Sequence, residues 1–272
     1  MARRLDIGSG LPDRPGILVA DGIPTNRLVL RSILENAGCR VDLVGSGLDA
    51  LAAVQNFGYD LTIVDIALPD LDGLALIRCI RALPEPGCRM AVLAISANPL
   101  TADRRLCLAA GADDCLTKPF RCADLKAAVA GLLADAGGAG LQVDLAPPAD
   151  AMPADAMIEP LLDAEVLSRL GGDLGPEALA GVLVTFTQDM GIRLHRIAAA
   201  AASANLRTLV FESHAVSSCC RPLGARRLVQ LCGTLESAAL SGDCGQALSL
   251  ACAIGAVAAD TLSALSGHGA AA

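Results

Sequence analysis

Asp65 closes the run Tyr59-Asp60-Leu61-Thr62-Ile63-Val64-Asp65, and Leu68-Pro69-Asp70-Leu71-Asp72-Gly73 follows within three residues. A carboxylate at the carboxyl end of an apolar strand, ahead of a Pro/Gly turn, stands where open α/β sheets put their chemistry. In that position it can attack a phosphoryl group and form an acyl phosphate. Far downstream, His214 lies in an amphipathic helical pattern, ten residues before Gly224. Its imidazole nitrogen is a good nucleophile near neutral pH, with a high-energy N–P product. An Asp and a His of these two kinds in one chain suggest phosphoryl traffic between them.

The elements that must position them change character along the chain. Apolar runs at Gly16–Ala20, Arg40–Val44, Leu61–Val64, Ala91–Ile95 and Cys115–Thr117 read as five strands. Helical patterns alternate with them, from Pro24 to Gly38, Gly47 to Phe57, Leu74 to Leu83, Thr101 to Ala110 and Ala123 to Leu133. Five such βα units predict a parallel, doubly wound sheet with buried strands. Residues 136–156 are rich in Ala, Gly, Pro and Asp and read as a linker. After it the strand-like runs stop. Helical patterns over Asp163–Leu170, Glu177–Ala201, Leu206–Cys219, Ala225–Ser241 and Ala247–Leu265 predict a four-helix-bundle domain, with a small frayed tail after Ser266.

Asp21 after the first strand, Asp65 after the third, Ser96 after the fourth and Lys118-Pro119 after the fifth, with the Asp65-x-x-x-Pro69-x-x-x-Gly73 turn, resemble a response-regulator receiver domain over residues 15–135. The resemblance implies a flavodoxin-like fold, with Asp65 as phosphoacceptor and Lys118 and Ser96 contacting phosphoryl oxygens. It implies Mg²⁺ held by Asp21, Asp65 and the Ala67 carbonyl. Two positions depart from the pattern. Gly22 stands where a second acidic residue is expected, which predicts a weakened Mg²⁺ site. Cys115 stands where a switching aromatic is usual. Asp70 and Asp72 read as turn and cap residues, and Asp21 as a cap or a metal-pocket residue.

Residues 157–266 carry Glu212-Ser213-His214-Ala215-Val216-Ser217-Ser218, Leu223-Gly224-Ala225 and Leu231-Cys232-Gly233-Thr234-Leu235-Glu236. These segments resemble a histidine phosphotransfer domain, with His214 as phosphoacceptor. Ser217 replaces a usual lysine, so Arg221 or Arg207 would have to supply charge, and Ser218 keeps a small side chain beside the imidazole. His195 reads as a solvated helical residue and His268 as inert.

The net charge of −8 and the lack of a basic stripe or reader module exclude a nucleic-acid surface. No run approaches a membrane span, and no signal peptide precedes the first strand, so a cytoplasmic protein with no membrane contact is expected. The eleven cysteines, none in a CxxC pair, read as small, buried, reduced hydrophobes. The combined expectation is a two-component phosphorelay protein. A histidine kinase would stand upstream and another response regulator downstream, with no ATP-binding kinase module in the chain. Docking by analogy would use Ile23, Pro24 and the Pro119-Phe120 edge. The alternative is a degenerate receiver that sequesters a partner without turnover.

Overall fold

The computed structural model describes residues 14–96, 101–135 and 160–269, so the expected linker at 136–156 lies outside the described residues. Five strands, β1 (Gly16–Ala20), β2 (Arg40–Val44), β3 (Leu61–Asp65), β4 (Ala91–Ser96) and β5 (Asp114–Thr117), form one parallel sheet in the order β2-β1-β3-β4-β5. β1, β3 and β4 are buried along their whole length, as their unbroken apolar runs require, while the edge strand β2 is only half-buried. Ile17 and Val19 face one core and Leu18 and Ala20 the other, the alternation that a pleated strand imposes.

Helices α1 (Pro24–Asn36), α2 (Gly47–Asn56), α3 (Gly73–Arg81), α4 (Thr101–Ala110) and α5 (Cys122–Asp135) connect and follow the strands. Pro24 opens α1 at a position where its missing N–H is not needed. The Asp72 carboxylate accepts from the Leu74 amide at 3.0 Å and caps α3. Gly73 is dictated by contact, because a Cβ there would lie 2.4 Å from the Asp65 carbonyl oxygen. The helix can therefore start directly behind the strand that ends in Asp65.

The helical part comprises α6 (Ala164–Leu174), α7 (Pro176–Ala202), α8 (Leu206–Cys220), α9 (Arg226–Leu240) and α10 (Cys244–Gly269). The helix expected to stop near Leu170 continues to Leu174 and ends at Gly175, whose φ of 83° breaks it ahead of Pro176. Gly224, at φ 70° and with Asp163 O only 2.8 Å from where a Cβ would be, turns the chain between α8 and α9. The expected frayed tail after Ser266 is instead helix as far as Gly269.

α10 also corrects the reading of membrane-length segments. Its stretch Cys244–Ser266 is long and apolar enough to span a bilayer by length and composition. Alanine supplies much of that character, and Ala247, Ala251, Ile254, Ala258 and Leu265 are buried in the bundle. The cysteines are free. Six are buried as expected, but Cys244 and Cys252 on α10 are exposed.

The two parts share one apolar core. The cluster on the α1 side of the sheet, including Val29, Ile33 and Leu34, runs without interruption into Leu167, Leu170, Val182 and Phe186 of the bundle. At the far end of α1 the Asn36 amide donates to the carbonyls of Asp173 (3.2 Å) and Leu174 (3.5 Å). The helix therefore has the sheet on one side and the bundle on the other.

Candidate functional site

Strand register collects the first set of residues. Ala20 pairs with Val64, Asp65 with Ile95 and Ser96 with Thr117. Asp21, Asp65, Ser96 and Lys118 thus stand at the carboxyl edge of four neighbouring strands, where the strand order reverses about β1 and β3. The Lys118 Nζ lies 2.9 Å from Asp65 Oδ2 and 3.1 Å from Asp21 Oδ2. Asp21, Asp65 and Ser96 are all buried.

Two carboxylates share one ammonium in a pocket largely closed to water. Burial pushes the Asp65 carboxyl up from its ordinary value, against the pull of Lys118 and with the repulsion of Asp21. Burial also works against the charge on Lys118, but Asp21 and Asp65 outweigh it and raise Lys118 above its ordinary value. The other Asp65 oxygen accepts from the Ala67 amide at 3.2 Å. Asp21 Oδ1 accepts from the Ile23 amide at 2.8 Å, and the Asn26 amide group lies 3.2 Å from Asp21 Oδ2. Asp21 therefore braces the loop and the pocket, while Ile23 occupies the N-cap position of α1. Asp70 accepts from the amides of Gly47, Leu48 and Leu71, a turn role as expected.

The pocket fits a divalent cation in charge. Two carboxylates face one ammonium, and the Ala67 carbonyl oxygen lies 3.8 Å from where a Gly22 side chain would begin. Among the described residues no group of three His, Cys, Asp or Glu side chains comes together to hold a metal. Cys115 is buried 3.4 Å from the Cys107 sulfur, and its thiol is pushed up to about 12 chiefly by burial. A thiol so raised is unreactive at neutral pH.

His214 stands on α8 with its ring partly in solvent. Its Nδ1 is 3.6 Å from Glu236 Oε2 on α9, an ion-pair separation beyond hydrogen-bond length. Arg207 and Arg221, the cations expected to compensate for Ser217, are both exposed. Two residues before His214, the buried Glu212 accepts from Arg193 at 3.1 Å and Arg196 at 3.2 Å, and Arg193 also donates to Asp189 at 2.8 Å. This cluster ties α8 to α7 beneath the histidine.

The sites on the two parts are joined. One turn after His214, the Ser218 hydroxyl accepts from the Asn26 amide group at 3.2 Å. Ser218, Asn26, Asp21, Lys118 and Asp65 form an unbroken series of contacts, each between 2.9 and 3.2 Å. Asn26 did not stand out in the sequence as functional, and Glu236 did so only as the last residue of a segment that carries the phosphotransfer resemblance. The available signal for Asn26 was its place five residues after Asp21, in the first turn of the next helix.

Residues 17–130 match the family model of the response regulator receiver domain, and residues 181–267 match that of the Hpt domain. The chain carries a receiver domain followed by an Hpt domain. Sensor protein GacS of Pseudomonas syringae pv. syringae is 29% identical over 243 residues, which cover 87% of this chain and 26% of that protein. Hybrid signal transduction histidine kinase L of Dictyostelium discoideum is 40% identical over 119 residues, 40% of this chain and 7% of that protein. The chain thus spans a minor part of these relatives. Among solved structures, the receiver domain of sensor histidine kinase PA1611 from Pseudomonas aeruginosa, described with a magnesium ion in its active site cleft, is 37% identical. It covers 45% of this chain and 99% of that one, with a TM-score of 0.42. Receiver domains generally bind Mg²⁺, and receiver and Hpt domains interact with histidine kinases and response regulators. A receiver joined to an Hpt domain is the composition of a phosphorelay protein in two-component signal transduction.

Proposed function

We propose that this chain exchanges a phosphoryl group between Asp65 of its receiver and His214 of its Hpt domain. It takes the group from a histidine kinase and delivers it to a further response regulator. The observation that carries this reading is the series of contacts from Asp65 to Ser218, which brings the His214 helix against the receiver pocket. The working units are residues 15–135 and 157–266, joined by 136–156. The two domains act as cytoplasmic way-stations and draw on a partner for the phosphodonor.

The residues divide the work. Asp65 supplies the carboxylate oxygen that becomes bonded to phosphorus. Lys118 and the Ser96 hydroxyl neutralise phosphoryl oxygens, the main requirement of such a transfer. An imidazole nitrogen of His214 then attacks phosphorus. The N–P bond forms as the P–O bond to Asp65 breaks, and the carboxylate leaves as an anion. With Nδ1 turned toward Glu236, Nε2 is the nitrogen free to react. Asp65, the Ala67 carbonyl and, at one remove, Asp21 would hold Mg²⁺, whose contribution is further charge neutralisation.

The test is to load the full chain from a small phosphodonor with Mg²⁺, and separately from a phosphorylated kinase or receiver. Phosphorylated forms are then resolved on a phosphate-retarding gel. Asp65→Ala should remove the acid-stable, base-labile label and His214→Ala the acid-labile one. No label on either residue from any donor overturns the proposal and favours a sequestering role.

A second expectation concerns the metal. A Cβ at Gly22 would meet Pro69 Cδ at 3.3 Å, a contact relieved by a shift of a few tenths of an ångström, and would lie beside the Ala67 carbonyl. Gly22→Asp should therefore tighten Mg²⁺ binding about tenfold by adding one carboxylate to the pocket. Calorimetric titration of the unphosphorylated chain measures this directly. An unchanged affinity would show that the missing carboxylate does not limit the site.

A further inference from the structure

Asn26 occupies an unusual place. Its side-chain nitrogen is the only atom that touches both the receiver's acidic pocket and the Hpt helix in the contact series described above. It lies 3.4 and 3.2 Å from the two Asp21 oxygens and 3.2 Å from Ser218 Oγ. Both of its N–H bonds are thereby engaged. Its own carbonyl oxygen is buried without a partner, as is the Thr25 hydroxyl beside it. A buried amide that leaves its acceptor unused is held by its donor contacts, so the two N–H bonds fix its orientation.

The surroundings make this contact directional. α1 is fixed at its other end by the Asn36 amide on the carbonyls of Asp173 and Leu174. Near Asn26, the Arg27 guanidinium donates to the Asp21 carbonyl at 2.6 Å. Half-burial lowers Arg27 from its ordinary value, while Asp21 and Asp189 of α7 pull it back up. The apolar core, Asn36 and the Arg27–Asp189 attraction together hold the bundle against α1. The core also takes in Ala215, Val216 and Cys219 of α8, so apolar packing seats this helix while leaving its register to polar contacts. The Asn26–Ser218 bond is the polar contact that ties the helix carrying His214 to the pocket that holds Asp65.

We propose that Asn26 and Ser218 are the positioning and specificity pair that directs His214 to this chain's own receiver rather than to receivers on other chains. This rests on the exchange between Asp65 and His214 proposed above. The logic is that of a register pin. A receiver that presents no amide at the position of Asn26 can still approach the bundle through apolar contact, but leaves the buried Ser218 hydroxyl unpaired. Desolvation without a partner is then a penalty against the wrong receiver.

The test is a double-mutant cycle in the full chain with Ser218→Ala and Asn26→Ala. Asp65 is loaded from a small phosphodonor, and the rate at which acid-labile label appears on His214 is followed. Each single substitution should slow this internal step about tenfold, the scale of one hydrogen bond between buried groups. The double variant should be no slower than the slower single. In Ser218→Ala, loading of Asp65 should stay at the wild-type rate. Exchange of His214 with an added receiver that lacks an amide at the position of Asn26 should speed up by as much as about tenfold, because the penalty of the unpaired hydroxyl is gone, whereas a merely weakened α8 would slow both exchanges alike.

A second readout is independent of phosphoryl chemistry. Hydrogen exchange of the unphosphorylated chain should show faster exchange in the first turn of α1 and around Ser218 in both single variants, with α9 and α10 unchanged. If wild type carries no label at all, the exchange between Asp65 and His214 fails, and unchanged amide protection in Ser218→Ala would then overturn the positioning role as well. If label moves but the two substitutions multiply in effect, or Ser218→Ala transfers at the wild-type rate, the pair is not the pin and the function proposed above still stands.

Discussion

Lys118→Ala should slow phosphorylation of Asp65 by about 10²–10³-fold, the usual loss when one preorganised charge-stabilising donor is removed from a transfer site. It should also destabilise the fold by about 3–5 kcal/mol at neutral pH, because it strips the counter-ion from two buried carboxylates. Lys118 is 11% exposed, and its partners Asp21 and Asp65 are 2% and 6% exposed, so solvent cannot replace it. The pH dependence follows from Asp65. Its carboxyl is already pushed up by burial, and loss of Lys118 removes the main opposing pull. A group whose pKa is raised on folding contributes stability that is complete below the unfolded value and is lost as pH rises through the folded one. The variant should therefore approach wild type near the ordinary carboxylate pKa of about 4. It should fall away as pH rises through the elevated value and then level off. Urea denaturation of both proteins between acid and neutral pH measures the deficit. A deficit independent of pH would mean that Lys118 contributes by packing alone.

Arg193→Ala should destabilise the chain by about 3 kcal/mol, near the lower end of the range for breaking a buried ion cluster. The guanidinium bridges Asp189 at 2.8 Å and Glu212 at 3.1 Å, with side chains 8%, 10% and 4% exposed. Burial opposes its charge, but the hydrogen bond and attraction of Asp189, with Glu212, raise it above the ordinary value. Glu212 would keep the exposed Arg196 as a partner, whereas Asp189 would lose its hydrogen-bonded one, which is why the lower end is expected. Because Glu212 lies two residues before His214, transfer should fall together with stability. Asp189→Leu combined with Arg193→Met should recover most of the stability, since it removes the orphaned charge. Thermal unfolding followed by circular dichroism compares the three proteins, and failure of the double variant to recover would assign the loss to packing around α7 and α8.

Much of the receiver pocket was legible because its signals are local. Each of Asp21, Asp65, Ser96 and Lys118 closes an apolar run or follows one, and parallel order carries all of them to the same sheet edge. The place of His214 on a helix was legible from the apolar periodicity around it. The contact that joins the domains was not. Asn26 and Ser218 are 192 residues apart, and no periodicity links α1 to α8. Glu236 was visible as part of a helical segment, but its approach to His214 depends on how α9 lies against α8. Two boundaries were missed for identifiable reasons. Gly171 and Gly172 resemble terminators, yet α6 runs through them to Leu174, with Leu179 lying 3.2 Å from where a Cβ of Gly171 would be. The start of α10 was expected at Ala247, although Asp243 accepts from the Gln246 amide at 2.9 Å and caps a helix that begins at Cys244.

The apolar cluster that passes from the sheet through α1 into the bundle has a thermal consequence. Two families meet in this chain, but its hydrophobic interior does not end where one family gives way to the other. Parting the domains would wet side chains on both sides of α1, with the positive heat-capacity change that accompanies exposure of apolar surface. A calorimeter should therefore record one endotherm for the whole chain rather than two. In melting, as in phosphoryl exchange, the receiver and Hpt domains would behave as a single cooperative unit.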